Sequence, residues 1–263
     1  MTTAQENLNI SLIQTHLHWQ DVDANLNHFT DLISDIATTD LIVLPEMFTT
    51  GFTMQPELNA EEQGGNGLQW MQQIAKQKNC AITGSIAVKE NNHYYNRLYF
   101  VFPDGTYQQY NKRHLFRMGN EHQHYTAGDT KIIIDYLGWK ICPLVCYDLR
   151  FPIWSRNTKQ NTYDVLLYVA NWPEARSFPW QQLLIARAIE NQSYVVGVNR
   201  VGLDGNNINH SGNSLVLSPK GETLLNFTAN NTKCKNVSLN YFSLIEFRKQ
   251  FPAMLDADEF TIS

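Results

Sequence analysis

Two residues in this chain stand where a nucleophile and its base would be placed. Cys146 follows the apolar run Ile141-Cys142-Pro143-Leu144-Val145 and opens the stretch Cys146-Tyr147-Asp148-Leu149-Arg150-Phe151. Glu46 ends the run Leu41-Ile42-Val43-Leu44-Pro45-Glu46. Both follow short apolar runs of the kind that form buried strands, and ligands meet sheet-based folds where such strands end. A thiol is a weak nucleophile until a base or a positive field removes its proton. A carboxylate can take that proton and later return it to a leaving group. The backbone N–H of Tyr147, next after the nucleophile, can point at the oxyanion that the attack creates. Free cysteine is more often a buried, inert packing residue. Cys142 fits that description, and Pro143 is expected to break the strand between the two cysteines. Lys112, in Tyr110-Asn111-Lys112-Arg113-His114-Leu115, follows another expected strand; most lysines in such places are simply solvated.

The elements that must position these groups can be read from hydrophobic periodicity. Leu8, Ile10 and Leu12 alternate with polar residues and predict a first strand. Over 21–36, Leu26, Phe29, Ile33 and Ile36 fall on one face at helical spacing. Leu41 to Leu44 reads as a buried strand, Leu68, Met71, Ile74 and Ala75 as a helical stripe, and 81–88 as a strand. The turn Pro103-Asp104-Gly105 joins strands over 94–102 and 106–110, and Leu137-Gly138 joins strands over 131–136 and 139–145. A strand over 165–170, a helix over 180–191 and strands over 194–198, 214–217, 222–225 and 236–239 follow. A short helix near 244–249 precedes an irregular tail. Strands mixed with helices predict an α/β architecture of helices layered on sheet.

Composition narrows the class. The chain has 263 residues, 43% apolar and 17% charged, which suits one globular domain. A net charge of -5 offers no basic footprint for nucleic acid. The first residues lack a basic n-region, and no run approaches the ~18 apolar residues of a membrane span, so a cytoplasmic protein is expected. Cys80, Cys142, Cys146 and Cys234 are scattered without metal-ligand spacing and read as free thiols. His122 and His124, with His114 nearby, could suggest a metal hydrolase, but no further ligands stand at convincing spacing and no metal is expected. No Gly-x-Ser-x-Gly elbow and no glycine-rich phosphate loop are present.

Glu46, Lys112 and Cys146, in that order and each at a strand exit, resemble the catalytic triad of the nitrilase, or carbon–nitrogen hydrolase, superfamily. Lys112-Arg113-His114-Leu115-Phe116 is similar to that family's Lys-x-His-Leu-Phe stretch. The resemblance implies a four-layer αββα sandwich over residues 1–263, a homodimer to which the tail from about 241 to 263 contributes, and catalysis without metal or organic cofactor. It implies that Lys112 stabilises the oxyanion. It also implies a fourth catalytic residue, Glu121, in the loop before Ala127-Gly128. Arg150, four residues after the nucleophile, is expected to hold a substrate carboxylate through its planar fork; Asp148 could instead tie it up in a salt bridge. The ω-amidase branch is favoured, with a small dicarboxylic acid monoamide, 2-oxoglutaramate foremost, as substrate. The stretch Ala170-Asn171-Trp172-Pro173-Glu174-Ala175-Arg176 and the tail resemble a bacterial subgroup of that branch and leave the far wall of the pocket open. Aliphatic amidases, nitrilases and N-carbamoyl amidohydrolases share the triad, and a non-catalytic binding protein could share the fold.

Overall fold

The computed structural model describes residues 4–261. Its first sheet is built from β1 (Asn7–Gln14), β2 (Leu41–Val43), β3 (Glu61–Glu62), β4 (Ala81–Glu90), β5 (His93–Val101) and β6 (Tyr107–Asn111). β1, β2 and β4 run parallel, while β4, β5 and β6 form an antiparallel meander. The second sheet contains β7 (Ile134–Tyr136), β8 (Trp139–Val145), β9 (Val165–Ala170) and β10 (Tyr194–Asn199). A separate hairpin, β11 (Val201–Leu203) with β12 (Asn209–Ser211), precedes β13 (Leu215–Leu217) and β14 (Thr223–Asn226), which complete that sheet. The last strand, β15 (Lys233–Asn240), returns to the first sheet and pairs antiparallel with β1 along its whole length.

Helices cover the outer faces. α1 (Val22–Ser34) and α3 (Asn66–Lys78) lie on the first sheet, burying Phe29, Ile33, Leu68, Met71 and Ile74 against Ile42, Ile82 and Ile86. Asp21 proves to be the cap of α1, its carboxylate accepting the Ala24 N–H at 3.0 Å, so the helix begins one residue later than its periodicity implied. α2 (Pro56–Asn59), α4 (Glu121–His124) and α5 (Pro152–Ser155) are single turns near the strand exits. α6 (Ser177–Asn191) buries Trp180, Leu184 and Ala188 on the second sheet. A Cβ at Gly197 of β10 would lie 2.6 Å from Leu184, so glycine permits that close approach. Between the sheets, Leu8, Ile10, Leu12, Leu98 and Phe100 meet Leu144, Leu167 and Val169 in one core. Helix, sheet, sheet and helix thus stack in the expected four αββα layers.

The structure departs from the sequence reading at Pro143. β8 runs unbroken through it to Val145. β7 pairs with β8 only as far as Ile141, so Pro143 lies on a stretch that has lost one neighbour, the setting in which a strand accommodates proline. The break falls at Cys146 itself, where φ is 45°. Leu137 and Gly138 both have positive φ, as a two-residue hairpin turn of the I′ kind requires. α7 (Tyr241–Gln250) packs Leu244 and Tyr241 back onto the second sheet, and Arg248 pairs with Asp164 at 2.9 Å.

The buried thiols make stability depend on pH. Burial raises Cys142 from 9.0 to about 12, and raises Cys80 and Cys234 to about 11. A raised folded value means a contribution fully present below the unfolded value near 9, and lost as pH climbs through the folded values. The unfolding midpoint, followed by circular dichroism, is therefore expected to hold level from pH 7 to 9 and to fall steadily from 9 to 12. A level midpoint across that window would contradict this burial.

Candidate active site

The exits of parallel strands from both sheets converge. Glu46 lies three residues beyond β2, Cys146 directly after β8 and Asn171 directly after β9, while Lys112 follows β6. Glu46, Lys112 and Glu121 are all fully buried. Lys112 Nζ donates to Glu46 Oε1 at 2.8 Å and to Glu121 Oε1 and Oε2 at 3.0 and 2.9 Å. Asn96 Nδ2 donates to Glu46 at 2.7 Å and to Glu121 at 3.1 Å. The Asn171 N–H donates to Glu46 Oε2 at 2.7 Å, and the Phe116 N–H donates to Glu121 Oε2. The Cys146 thiol lies close enough to Glu46 and Lys112 for both to act on its charge. The four acid, base and nucleophile candidates of the sequence reading therefore form one connected cluster.

Left-handed backbone stands at or beside three of them. Cys146 has φ 45°, Met47 after Glu46 has φ 43°, and Asn120 before Glu121 has φ 59°. Non-glycine residues in this left-handed region carry strain of about 1–3 kcal/mol and gather at functional sites. Met47 is held by its N–H donating to Ser85 Oγ at 2.9 Å. The Cys146 elbow is held by Asp148, whose carboxylate accepts the Val145 N–H at 3.0 Å, the Tyr110 hydroxyl at 2.8 Å and the His114 N–H at 2.9 Å. Asp148 thus joins the nucleophile's elbow to the segment that carries Lys112. It is not the partner of Arg150: that guanidinium is exposed and lies 5.1 Å over the Trp172 ring.

Charge in the cluster follows from burial and these contacts. Burial, and next the Glu46 carboxylate, raise the Cys146 thiol well above its ordinary range, with Lys112 opposing. Burial alone would lower Lys112, but Glu121 and Glu46 overcome it and hold the ammonium above the usual lysine range. Burial raises Glu121, against the pull of Lys112. The resting cluster is a neutral thiol beside an ammonium shared by two carboxyl groups.

A pocket open at its mouth leads to Cys146. Phe52, Phe116 and Trp172 give it aromatic walls, and Tyr147 and Arg150 also line it. Sequence reasoning did not assign Arg176, which also lines it, with its guanidinium 5.5 Å from the Phe116 ring centre. It also missed Asn96, and the β11–β12 hairpin that brings Asp204, Ile208 and His210 to the far wall. Burial first, and then Arg200, lower His210 to about 4, so this imidazole is neutral in the wall. Asn171 carried a usable signal, since a polar residue directly after Val165-Leu166-Leu167-Tyr168-Val169-Ala170 has the signature of Cys146. His122 and His124 belong to α4, and His114 is engaged with Asp148; among the described residues these three do not gather as ligands.

Comparison with known proteins agrees with this geometry. The carbon–nitrogen hydrolase family profile matches residues 9–239. The chain is 49% identical to the omega-amidase YafV of Escherichia coli (strain K12), over 97% of this chain and 98% of that protein. It is 39% identical to the 2-oxoglutaramate amidase of Bacillus subtilis (strain 168), over 70% and 72% of the two chains. The crystal structure of XC1258 from Xanthomonas campestris, a CN-hydrolase superfamily protein with an arsenic adduct in its active site, superposes with a TM-score of 0.96 at 40% identity, covering 98% of this chain and all of that one. Fold, site geometry and sequence agree that this chain belongs to the carbon–nitrogen hydrolase family.

Proposed function

We propose that this protein is an ω-amidase, hydrolysing the terminal amide of a small dicarboxylic acid monoamide, with 2-oxoglutaramate as the preferred substrate. The observation that carries the reading is the buried cluster of Cys146, Glu46, Lys112 and Glu121 at the floor of a pocket whose wall holds arginine. Similarity to the omega-amidase YafV and to the 2-oxoglutaramate amidase supports the substrate class.

Cys146 Sγ attacks the amide carbon as its proton passes to Glu46. The oxygen, now anionic, is held by the Lys112 ammonium and the Tyr147 N–H. Glu46 gives the proton to the departing nitrogen, and ammonia leaves a thioester on Cys146. Water, deprotonated by Glu46, attacks the thioester; the carboxylic acid departs and the thiol is restored. Glu121 fixes the lysine by accepting from it with both oxygens. Two moderate barriers replace one high one.

Arg150 and Arg176 together give the pocket a cationic wall for the far carboxylate. A hydrogen bond to a charged group contributes about 1.5–3 kcal/mol. Arg150→Ala and Arg176→Ala are each expected to raise KM for 2-oxoglutaramate about 10- to 100-fold with little change in kcat. Neither should affect a simple aliphatic amide that lacks the carboxylate. An unchanged KM in both variants would remove the cationic wall from the reading. Ammonia release from 2-oxoglutaramate, compared with glutamine, an aliphatic nitrile and an N-carbamoyl amino acid, tests the function itself. Faster turnover of any of the three comparison substrates would reassign the enzyme within its family.

The exposed Phe242, Phe251 and Leu255 on α7 and the tail offer an apolar surface for a homodimer. Light scattering should then report about twice the 30.3 kDa chain mass; a monomer would rule the dimer out. Four unpaired thiols suit the reducing cytoplasm, and imaging of a tagged chain outside it would refute that placement.

A further inference from the structure

A second cluster of reactive side chains lies at the β1–α1 connection. Thr15 and Leu17 are buried while His16 and His18 are exposed, the alternation of an extended segment that puts both histidines on one side. His28, from α1, faces them. Each ring offers a nitrogen within 4.8 Å of the other two, and the ring centres are 4.4 to 5.7 Å apart. We propose that His16, His18 and His28 bind a borderline divalent transition metal of the zinc class, leaving a further coordination position open to water.

The ligand set selects that class. Three imidazoles with no carboxylate among them suit zinc, copper or nickel and not the oxygen-seeking magnesium or calcium. The site is also braced. Asn25 accepts the His18 N–H at 2.8 Å and donates to the His18 carbonyl at 2.7 Å and the Thr49 carbonyl at 2.8 Å, fixing the loop on the helix. His28 Nε2 lies 2.7 Å from Thr15 Oγ1. That contact fixes the orientation of the His28 ring, as an outer partner does in metal sites. Zinc–nitrogen bonds of about 2.0–2.1 Å need the nitrogens closer than they stand. His16 and His18 are exposed, so their side chains have room to turn toward an ion.

The cluster adjoins the pocket wall without belonging to it. The Val201 N–H donates to the Thr15 carbonyl at 2.9 Å, and Trp19 packs directly against Gly205, so the loop seats the β11–β12 hairpin. A metal there braces that seat, and no step of amide hydrolysis passes through it. Because it binds the folded chain, it raises stability by mass action.

The test uses tag-free Cys146→Ala protein, which lacks the catalytic thiol as a competing ligand. Calorimetric titration with zinc is expected to give one ion per chain and a higher unfolding midpoint. Cobalt should give visible bands of nitrogen and oxygen ligation without a thiolate charge-transfer band. His16→Ala and His18→Ala, both at exposed positions, should each weaken binding beyond the ~10- to 100-fold that even an outer partner contributes. Zinc binding unaltered in both variants, a thiolate band, or no binding at millimolar zinc would each overturn the proposal.

Discussion

Cys146→Ala is expected to lower kcat for ammonia release from 2-oxoglutaramate by about 10⁶, the scale on which removal of a covalent nucleophile acts in an interlocked catalytic set. The fold should survive, since the substitution only removes a sulfur at a position already held in the left-handed region by Asp148 and its partners. Wild-type protein quenched during turnover should carry an acyl mass that the variant lacks. Residual turnover above one thousandth of the wild-type rate would mean that water, not sulfur, attacks the amide. The state of the sulfur is part of the same expectation. Burial and Glu46 raise the thiol more than Lys112 lowers it, so the resting enzyme holds a thiol and not a preformed ion pair. The difference in 240 nm absorbance between wild type and Cys146→Ala should stay flat from pH 6 to 9. A thiolate titrating near pH 7 would shift the activating role from Glu46 to the Lys112 ammonium.

Much of this site could be read in the chain because its main members share one local signature. Glu46 and Cys146 each follow a short apolar run, and a buried parallel strand delivers its next polar residue to the same end of the fold. Lys112 was harder, since β6 is half exposed and its pattern is that of a meander edge. Asn96 gave no local sign at all. It lies within β5 among tyrosines and an arginine, and its partners are 50 and 25 residues away. The role of Asp148 was hidden for the same reason. Its nearest basic neighbour in sequence is Arg150, whereas its contacts, apart from the local Val145 N–H, come from Tyr110 and His114, more than thirty residues upstream. The helices and strands followed from periodicity and the four layers from the family resemblance, but strand order followed from neither. The pairing of β15 with β1 joins residues more than two hundred apart, and only closure of the sheet specifies it. The β11–β12 hairpin has three residues in each strand, too few for an alternating pattern to register.

Lys112→Met should damage stability and rate together, and the two effects can be separated. The ammonium is fully buried between carboxylates at 2.8 and 2.9 Å. Removing one partner of a buried ion pair leaves an uncompensated charge and costs about 3–5 kcal/mol; here two carboxylates lose the same partner. On the proposed mechanism the variant also loses an oxyanion donor, which should lower kcat by at least about 10²–10³. The stability loss should itself depend on pH. Without the ammonium, Glu121 loses the attraction that opposes its raised value. A carboxyl with a raised folded value contributes stability fully present below the unfolded value near 4.5 and lost as pH rises through the folded one. The variant should therefore lose more stability between pH 5 and pH 8 than the wild type does, read as the drop in denaturant midpoint between the two pH values. Adding Glu121→Gln returns the cluster to the single negative charge of the wild type, in which two carboxylates face one ammonium. The double variant should regain much of the lost stability and none of the lost rate. Recovery of both would make the lysine a counter-ion only and leave the oxyanion to the Tyr147 N–H; recovery of neither would mean that the packing of the lysine stem, and not its charge, holds the site together.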